Sequence, residues 1–135
     1  MEGINEKLIK LARATANRIN LNGYHDNRSG TVGCALLAKN GKIYSGVNIH
    51  TACDLGFCAE AAAIAEMLKD GETIIDTIVA STYHGEIRPP CGRCREFMCQ
   101  VDRANLNTRV IIDNNTIKTV DELLPHNWVS ITKDN

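Results

Sequence analysis

Two cysteine motifs, each at the start of a predicted helix, constrain the fold of this chain more than any other feature. Cys-Ala-Glu at residues 58–60 opens the small-residue run AEAAAIAEMLK. Pro-Cys-Gly-Arg-Cys at residues 90–94 opens a second helix, predicted to reach about Arg103. The segment ETIIDTIVAST between them is typical of a buried central strand. Because crossover connections return each helix to the same sheet, we expect the two helix starts to meet at one edge.

The remaining segments predict an α/β fold in which residues 1–135 form a single domain. Residues 4–20 carry apolar side chains at helical spacing, and TVGCALLAKNGKIYSGVN predicts two strands joined by a turn at Asn40-Gly41. TRVIID predicts a further strand, NNTIKTV a turn and a fifth strand, and Asp121 is expected to cap a short last helix. This order predicts a three-layer α/β/α sandwich around a mixed five-stranded sheet.

Composition disfavours several classes of partner. The 135 residues carry a formal net charge of −1, so no general attraction to nucleic acid or to anionic membranes is expected. No apolar run approaches the roughly 20 residues of a membrane span, and the charged N-terminal segment does not resemble a signal peptide. We therefore expect a cytoplasmic protein, and the placement of its six cysteines favours metal or redox chemistry over disulfides, with Cys34, Cys53 and Cys99 expected to act as small hydrophobic side chains.

Three thiols and one carboxylate form the predicted site. Cys58 and Cys91 lie at helix N-termini, where the helix dipole favours thiolates, and Cys94 lies on the same helix face as Cys91. Three thiolates suit a tetrahedral zinc ion that keeps a fourth position open for water. Glu60, two residues after a ligand, is placed to move protons between metal-activated water and a substrate nitrogen. The pattern C-x-E…P-C-x-x-C matches the zinc-deaminase signature, with Cys in place of the first His.

Three other interpretations stay open on these residues. A closed structural zinc site would take Cys53 or His84 as a fourth ligand, but it would leave Glu60 buried beside the metal without a role. A thiol redox module would use Cys91 and Cys94 and would need no Glu60. A deaminase of bases within DNA or RNA is disfavoured by the near-neutral charge and by the lack of an aromatic, basic strand-binding segment.

At these motifs the sequence resembles the cytidine deaminase superfamily, specifically its small tri-cysteine branch of cytidine deaminases and blasticidin S deaminases. The resemblance covers nearly the whole chain, including VGCALLAKNGKIYSGVNI, CAE, PPCGRCRE and DELLP. It implies hydrolytic loss of ammonia from a small aminopyrimidine, with cytidine or deoxycytidine first and blasticidin S or another analogue second. It also implies one zinc ion per subunit and a homotetramer or dimer. Asn48, His50 and Ala59 fall where members of this superfamily bind the substrate.

Three positions depart from the superfamily pattern. His50 stands where a glutamate contacts ribose, Gly30 where an aromatic residue stacks on the base, and Ala61 where an arginine bonds to the thiolates. Arg93, inside the second motif, is expected to replace that arginine and to neutralise the site, as in the fungal blasticidin S deaminase pattern. The catalytic half is therefore expected to be intact and the ribose-binding half altered.

Overall fold

The computed structural model describes residues 3–129, so the two ends of the predicted domain, 1–2 and 130–135, lie outside the described residues. The helices of the described part are α1 (Ile4–Thr15), α2 (Ala59–Lys69), α3 (Gly92–Val101) and α4 (Val120–Leu123). Its strands are β1 (Ile19–Asn20), β2 (Arg28–Ala38), β3 (Ile43–His50), β4 (Ile75–Thr82), β5 (Ile87–Arg88), β6 (Arg109–Asp113) and β7 (Thr116–Thr119). Short 3-10 segments, Ala52–Asp54 and Arg103–Asn107, follow β3 and α3.

The longer strands form a mixed sheet in the order β3-β2-β4-β6-β7. β2 pairs antiparallel with both β3 and β4, β4 pairs parallel with β6, and β6 pairs antiparallel with β7. β3, β4 and β6 thus run in the same direction, and α2 and α3 are the crossovers between them. The predicted mixed sheet is confirmed. The structure adds β1 beside β2 and β5 beside β4, strands of two residues each that the sequence did not predict.

Helices cover both faces of this sheet. On one face, α1 packs through Leu8 and Ala12 against Ala35, Val79 and Ile111. The opposite face carries the larger cluster, which includes Leu36, Ile78 and Val110 from the sheet and Ile64, Met98 and Val120 from α2, α3 and α4. Successive strand residues point to opposite faces, so Ala35 and Leu36 serve different layers. Within the described residues, no helix combines the length and the apolar character that crossing a membrane requires.

The first predicted helix is too long. α1 ends at Thr15, and the chain then forms β1, in which Ile19 pairs with Ser29 of β2. Ile19 continues the apolar spacing of the helix, but its side chain is exposed. The spacing beyond Thr15 therefore does not mark a buried helix face.

The predicted cap of the last helix is also wrong. Thr119, rather than Asp121, caps α4. The Thr119 hydroxyl accepts the backbone N–H of Glu122 at 3.1 Å, and the Glu122 carboxylate accepts the backbone N–H of Thr119 at 3.0 Å. This reciprocal arrangement is a capping box, whose signature T-x-x-E is present in the sequence at residues 119–122.

Two glycines allow the segment that carries the first motif to lie close to β3. A Cβ atom on Gly46 would come within 2.6 Å of the Ala62 Cβ in α2, and one on Gly56 would overlap the carbonyl oxygen of Ile49. The N–H and the C=O of Phe57 both form hydrogen bonds with Ile49, each at 3.0 Å. The chain just before α2 is therefore tied to the end of β3.

Candidate active site

The three predicted metal ligands lie together where α2 and α3 begin. Cys58 is the N-cap of α2, Cys91 is the N-cap of α3, and Cys94 lies in the first turn of α3. The sulfur atoms of Cys58 and Cys91 are 3.6 Å apart, and all three lie within 4.8 Å of one another. Thiolates bound tetrahedrally to zinc at about 2.3 Å would be separated by roughly 3.8 Å. The donor set and its spacing therefore fit one zinc ion.

No fourth protein ligand joins this cluster within residues 3–129. Cys53 and His84, the two candidates for closing the site, are not part of it. Cys53 is instead exposed in the 3-10 segment that follows β3. The cluster therefore has the three-ligand composition of a catalytic zinc site rather than the four-ligand composition of a structural one.

Glu60 lies at the N-terminal end of α2 and is almost completely buried, with 6% of its surface exposed. Burial raises the pKa of its carboxyl group above the ordinary glutamate value. Burial of Cys94 has the largest effect on the pKa of its thiol, and the negative charge of Glu60 raises that pKa further. The Glu60 carboxylate therefore acts electrostatically on a metal ligand. A buried carboxyl group with a raised pKa suits exchange of protons near neutral pH.

The three thiols differ in their acidity. Burial has the largest effect on Cys58 and raises its pKa, and the contact with Cys91 raises it further. Burial also raises the pKa of Cys94 most strongly, and the negative charge of Glu60 adds to this effect. Burial also acts on Cys91, but the backbone N–H of Cys94 and the neighbouring thiols lower the pKa of Cys91 overall. Since cysteine ligands bind as thiolates, metal binding must displace the protons that the thiols hold, and the raised pKa values of Cys58 and Cys94 oppose that loss.

A pocket of about 450 Å³ opens beside the thiols, a volume that suits a small molecule. The predicted substrate-binding residues Asn48, His50 and Ala59 all line it. Glu60 and Arg93 line the same pocket. The structure therefore brings the separate parts of the predicted site into one cavity.

The side chain of Asn48 also has a structural role. Its Oδ1 accepts the backbone N–H of Val32 at 2.9 Å, and its Nδ2 donates to the hydroxyl of Thr31 at 2.7 Å. These bonds fix the amide against β2 and leave one N–H of Nδ2 for a ligand. His50 is exposed at the end of β3, and Ala59 is buried in the first turn of α2.

The two arginines of the second motif have different environments. Arg95 donates to the carbonyl oxygens of Pro90 and Leu123, both at 2.9 Å, and so ties the start of α3 to the end of α4. Arg93 is exposed and lines the pocket. Of these two cations, Arg93 is therefore the one that faces the site.

Sequence reasoning missed several residues of the pocket wall, among them Phe57 and Arg88, and it did not explain why position 30 carries glycine. Phe57 and Arg88 both line the pocket, and each lies within three residues of a cysteine motif, which was the available signal. Gly30 does not line the pocket; its φ is +76°, and a Cβ atom there would overlap the carbonyl oxygen of Asn17. An aromatic side chain is therefore excluded at position 30 by backbone packing.

Comparison with known proteins agrees with this geometry. The family model described as "Cytidine and deoxycytidylate deaminase zinc-binding region" matches residues 4–109. A cytidine deaminase of Halalkalibacterium halodurans is 38% identical over 101 residues, which cover 70% of this chain and 74% of the relative. A blasticidin-S deaminase of Bacillus cereus is 33% identical over 112 residues, which cover 76% of this chain and 79% of the relative.

Solved structures share the fold. A crystal structure of cytidine deaminase from Mycobacterium tuberculosis superposes with a TM-score of 0.78 at 22% identity, covering 94% of this chain and 98% of that one. The cytidine deaminase from Burkholderia pseudomallei gives a TM-score of 0.73 at 27% identity, with 93% and 100% covered. The α/β sandwich predicted from the sequence is thus confirmed. The chain belongs to the cytidine and deoxycytidylate deaminase family and is a hydrolytic C–N deaminase of the zinc-binding type.

Proposed function

We propose that this protein deaminates a free cytosine-type nucleoside, cytidine or deoxycytidine, and releases ammonia. The observation that carries the proposal is a cluster of three thiols, two of which, Cys58 and Cys91, line one small-molecule pocket together with the buried carboxylate of Glu60. The match to a cytidine deaminase over 74% of that relative's length supports the same substrate class.

Glu60 is the proposed proton carrier. When bound by Cys58, Cys91 and Cys94, zinc supplies the Lewis acidity that makes water a nucleophile near neutral pH. Glu60 accepts a proton as the water oxygen attacks the ring carbon that bears the amino group, and it passes that proton to the adjacent ring nitrogen. Glu60 then transfers the proton of the new hydroxyl group to the amine as the C–N bond breaks. Water and the aminopyrimidine thus give the oxo-pyrimidine and ammonia, and Glu60 ends as it began.

The pocket lining supplies the proposed substrate contacts. Asn48 offers the remaining N–H of its amide, and the backbone N–H of Ala59 belongs to a first helical turn, where no intrahelical partner is available. His50, at the exposed end of β3, contacts the sugar or side group. Arg93 offsets the excess negative charge of a zinc ion bound by three thiolates.

Blasticidin S is the second candidate substrate. His50 replaces the ribose-binding glutamate of the superfamily pattern, and the relative from Bacillus cereus is named a blasticidin-S deaminase. A non-catalytic zinc protein or a thiol redox module is the alternative from another class. Neither of these requires a buried carboxylate in the pocket.

We also infer that the protein assembles with copies of itself, as a homotetramer or a dimer. Leu55 exposes 79% of its surface, and the side chain of Trp128 is exposed as well. Burial of such apolar side chains between subunits would stabilise an assembly. Sedimentation equilibrium gives the mass directly, and a monomer at micromolar concentration would contradict the inference.

The function is tested by ammonia release from zinc-loaded protein with cytidine, deoxycytidine, cytosine and blasticidin S. We expect turnover of the first two, and a loss of about 10²-fold to 10⁴-fold in Glu60→Ala at unchanged zinc content. Glu66→Ala, on the exposed side of α2, is the matched control and should leave turnover unchanged. Activity on blasticidin S alone would select the second candidate. No ammonia from any substrate, with zinc bound, would reject the proposed function.

A further inference from the structure

We propose that Phe57 forms the aromatic wall of the pocket, stacks on the substrate ring, and so sets a preference for planar aminated heterocycles. The proposal rests on the proposed function, because it names the contact that holds the ring beside Glu60. Phe57 immediately precedes the ligand Cys58 in the chain.

Phe57 is an apolar ring that the described structure leaves partly uncovered. It lines the pocket with 37% of its surface exposed. Tyr24 and Tyr83, exposed aromatic residues elsewhere in the described chain, do not line the pocket. Pyrimidine rings stack on aromatic side chains because both partners present flat π-surfaces. A substrate ring is therefore a fitting partner for the exposed part of Phe57.

The backbone holds Phe57 in place before any ligand arrives. Its N–H and C=O are both bonded to Ile49, and Gly56 lies so close to the Ile49 carbonyl that it has no room for a side chain. The residues on either side of Ile49, Asn48 and His50, also line the pocket. A stacking surface fixed in this way costs little conformational entropy when the substrate binds.

Position 30, where the superfamily pattern has a stacking aromatic residue, cannot carry a ring in this chain. The positive φ of Gly30 and the overlap of any Cβ with the Asn17 carbonyl exclude a ring at position 30. Val32, two residues later, lines the pocket but offers only an aliphatic surface. Among the residues that the structure describes, the carbocyclic ring of this pocket therefore comes from Phe57.

The test compares Phe57→Leu and Phe57→Tyr with Tyr83→Leu. Tyr83 is also a partly exposed aromatic residue, but it does not line the pocket. With cytidine as substrate we expect Phe57→Leu to raise KM roughly fivefold to a hundredfold, the range of a lost base–aromatic stack. Phe57→Tyr, which keeps the ring, should stay within about twofold of wild type, as should Tyr83→Leu. Zinc content and Tm, measured on every variant, separate lost stacking from damage to the metal site.

Binding is measured in parallel, so that the result does not depend on turnover. Zinc-loaded Glu60→Gln protein is titrated calorimetrically with cytidine, with and without Phe57→Leu. Weaker binding by the double variant supports the stack, even if the wild-type enzyme releases no ammonia and the proposed function fails. Equal binding by both proteins, equal losses in Phe57→Leu and Phe57→Tyr, or no binding to the protein that retains Phe57 would each overturn the inference.

Discussion

At the scale of single residues, Arg93 is the cation that we expect to offset the negative charge of the zinc site. Three thiolates around a divalent cation leave an excess negative charge, and Arg93 is an exposed cation that lines the same pocket. We expect Arg93→Ala to lower kcat roughly tenfold, since a partly screened charge contributes on the order of 1 kcal/mol to the transition state. Zinc content should not change, because Arg93 is not a ligand.

The matched control for this prediction is Arg103→Ala. Arg103 is exposed in the segment that follows α3 and does not line the pocket. Its removal changes the net charge by the same amount and should leave kcat unaltered. Turnover of Arg93→Ala equal to that of Arg103→Ala would show that the charge at position 93 does not act on the reaction.

The thiols and Glu60 could be placed from the sequence because their positions follow from local rules. A cysteine at a predicted helix start and a second one a turn later determine where the sulfur atoms point. Phe57 and Gly30 could not be placed in this way. Their roles depend on contacts with Ile49 and Asn17, which lie eight and thirteen residues away in the chain.

At the scale of elements, the site depends on how closely α2 packs on β3. We expect Gly46→Ala to lower the free energy of unfolding by about 1–3 kcal/mol, since its Cβ would lie 2.6 Å from the Cβ of Ala62 and force α2 outward. Zinc affinity should fall as well, because Cys58 begins that helix. Thermal unfolding and a zinc titration with a competing chelator measure the two effects.

Gly23→Ala is the control for this substitution, because a Cβ atom at position 23 meets nothing within 4 Å. It should leave both the Tm and the zinc affinity close to those of the wild type. A Gly46→Ala protein that unfolds and binds zinc like Gly23→Ala would show that α2 tolerates displacement from β3.

The elements that the sequence predicted and those it missed differ in what stabilises them. The turn at Asn40-Gly41 and the start of α2 carry local signals, and both are present: Gly41 has a φ of +85°, and Cys58 occupies the N-cap position of the helix. β1 and β5 are two residues long and exist through pairing with β2 and β4. No periodic pattern can mark so short a strand, so only the folded sheet shows where it pairs.

At the scale of the whole molecule, a polar network joins α3 to β4 at the end of the sheet opposite the thiols. The Asn105 side chain accepts the backbone N–H of Ile75 at 2.8 Å and donates to the carbonyl oxygens of Thr73 and Met98, both at 3.0 Å. It therefore joins the end of α3 to the start of β4. Because the N-terminal end of α3 carries Cys91 and Cys94, anchoring its other end stabilises the position of the metal site.

Asp102 is the titratable member of this network. Its carboxylate accepts the Thr73 hydroxyl at 2.7 Å and the backbone N–H of Ala104 at 2.9 Å. The bond from Thr73 and then that from Ala104 lower the pKa of Asp102 below the ordinary aspartate value. A carboxyl group with a lowered folded-state pKa stabilises the fold above its unfolded-state pKa of about 3.9. That contribution is lost as the pH falls through the folded-state value.

We therefore expect the Tm of Asp102→Asn to depend less on pH, below about pH 5, than the Tm of the wild type does. At pH 7 its Tm should lie below that of the wild type, because the ionised acceptor is gone. Between about pH 5 and about pH 3 the wild-type Tm should fall further than that of the variant, so that the two curves converge. Differential scanning calorimetry measures both Tm values over this pH range. If the Tm of Asp102→Asn falls in parallel with that of the wild type, protonation of Asp102 is not linked to unfolding.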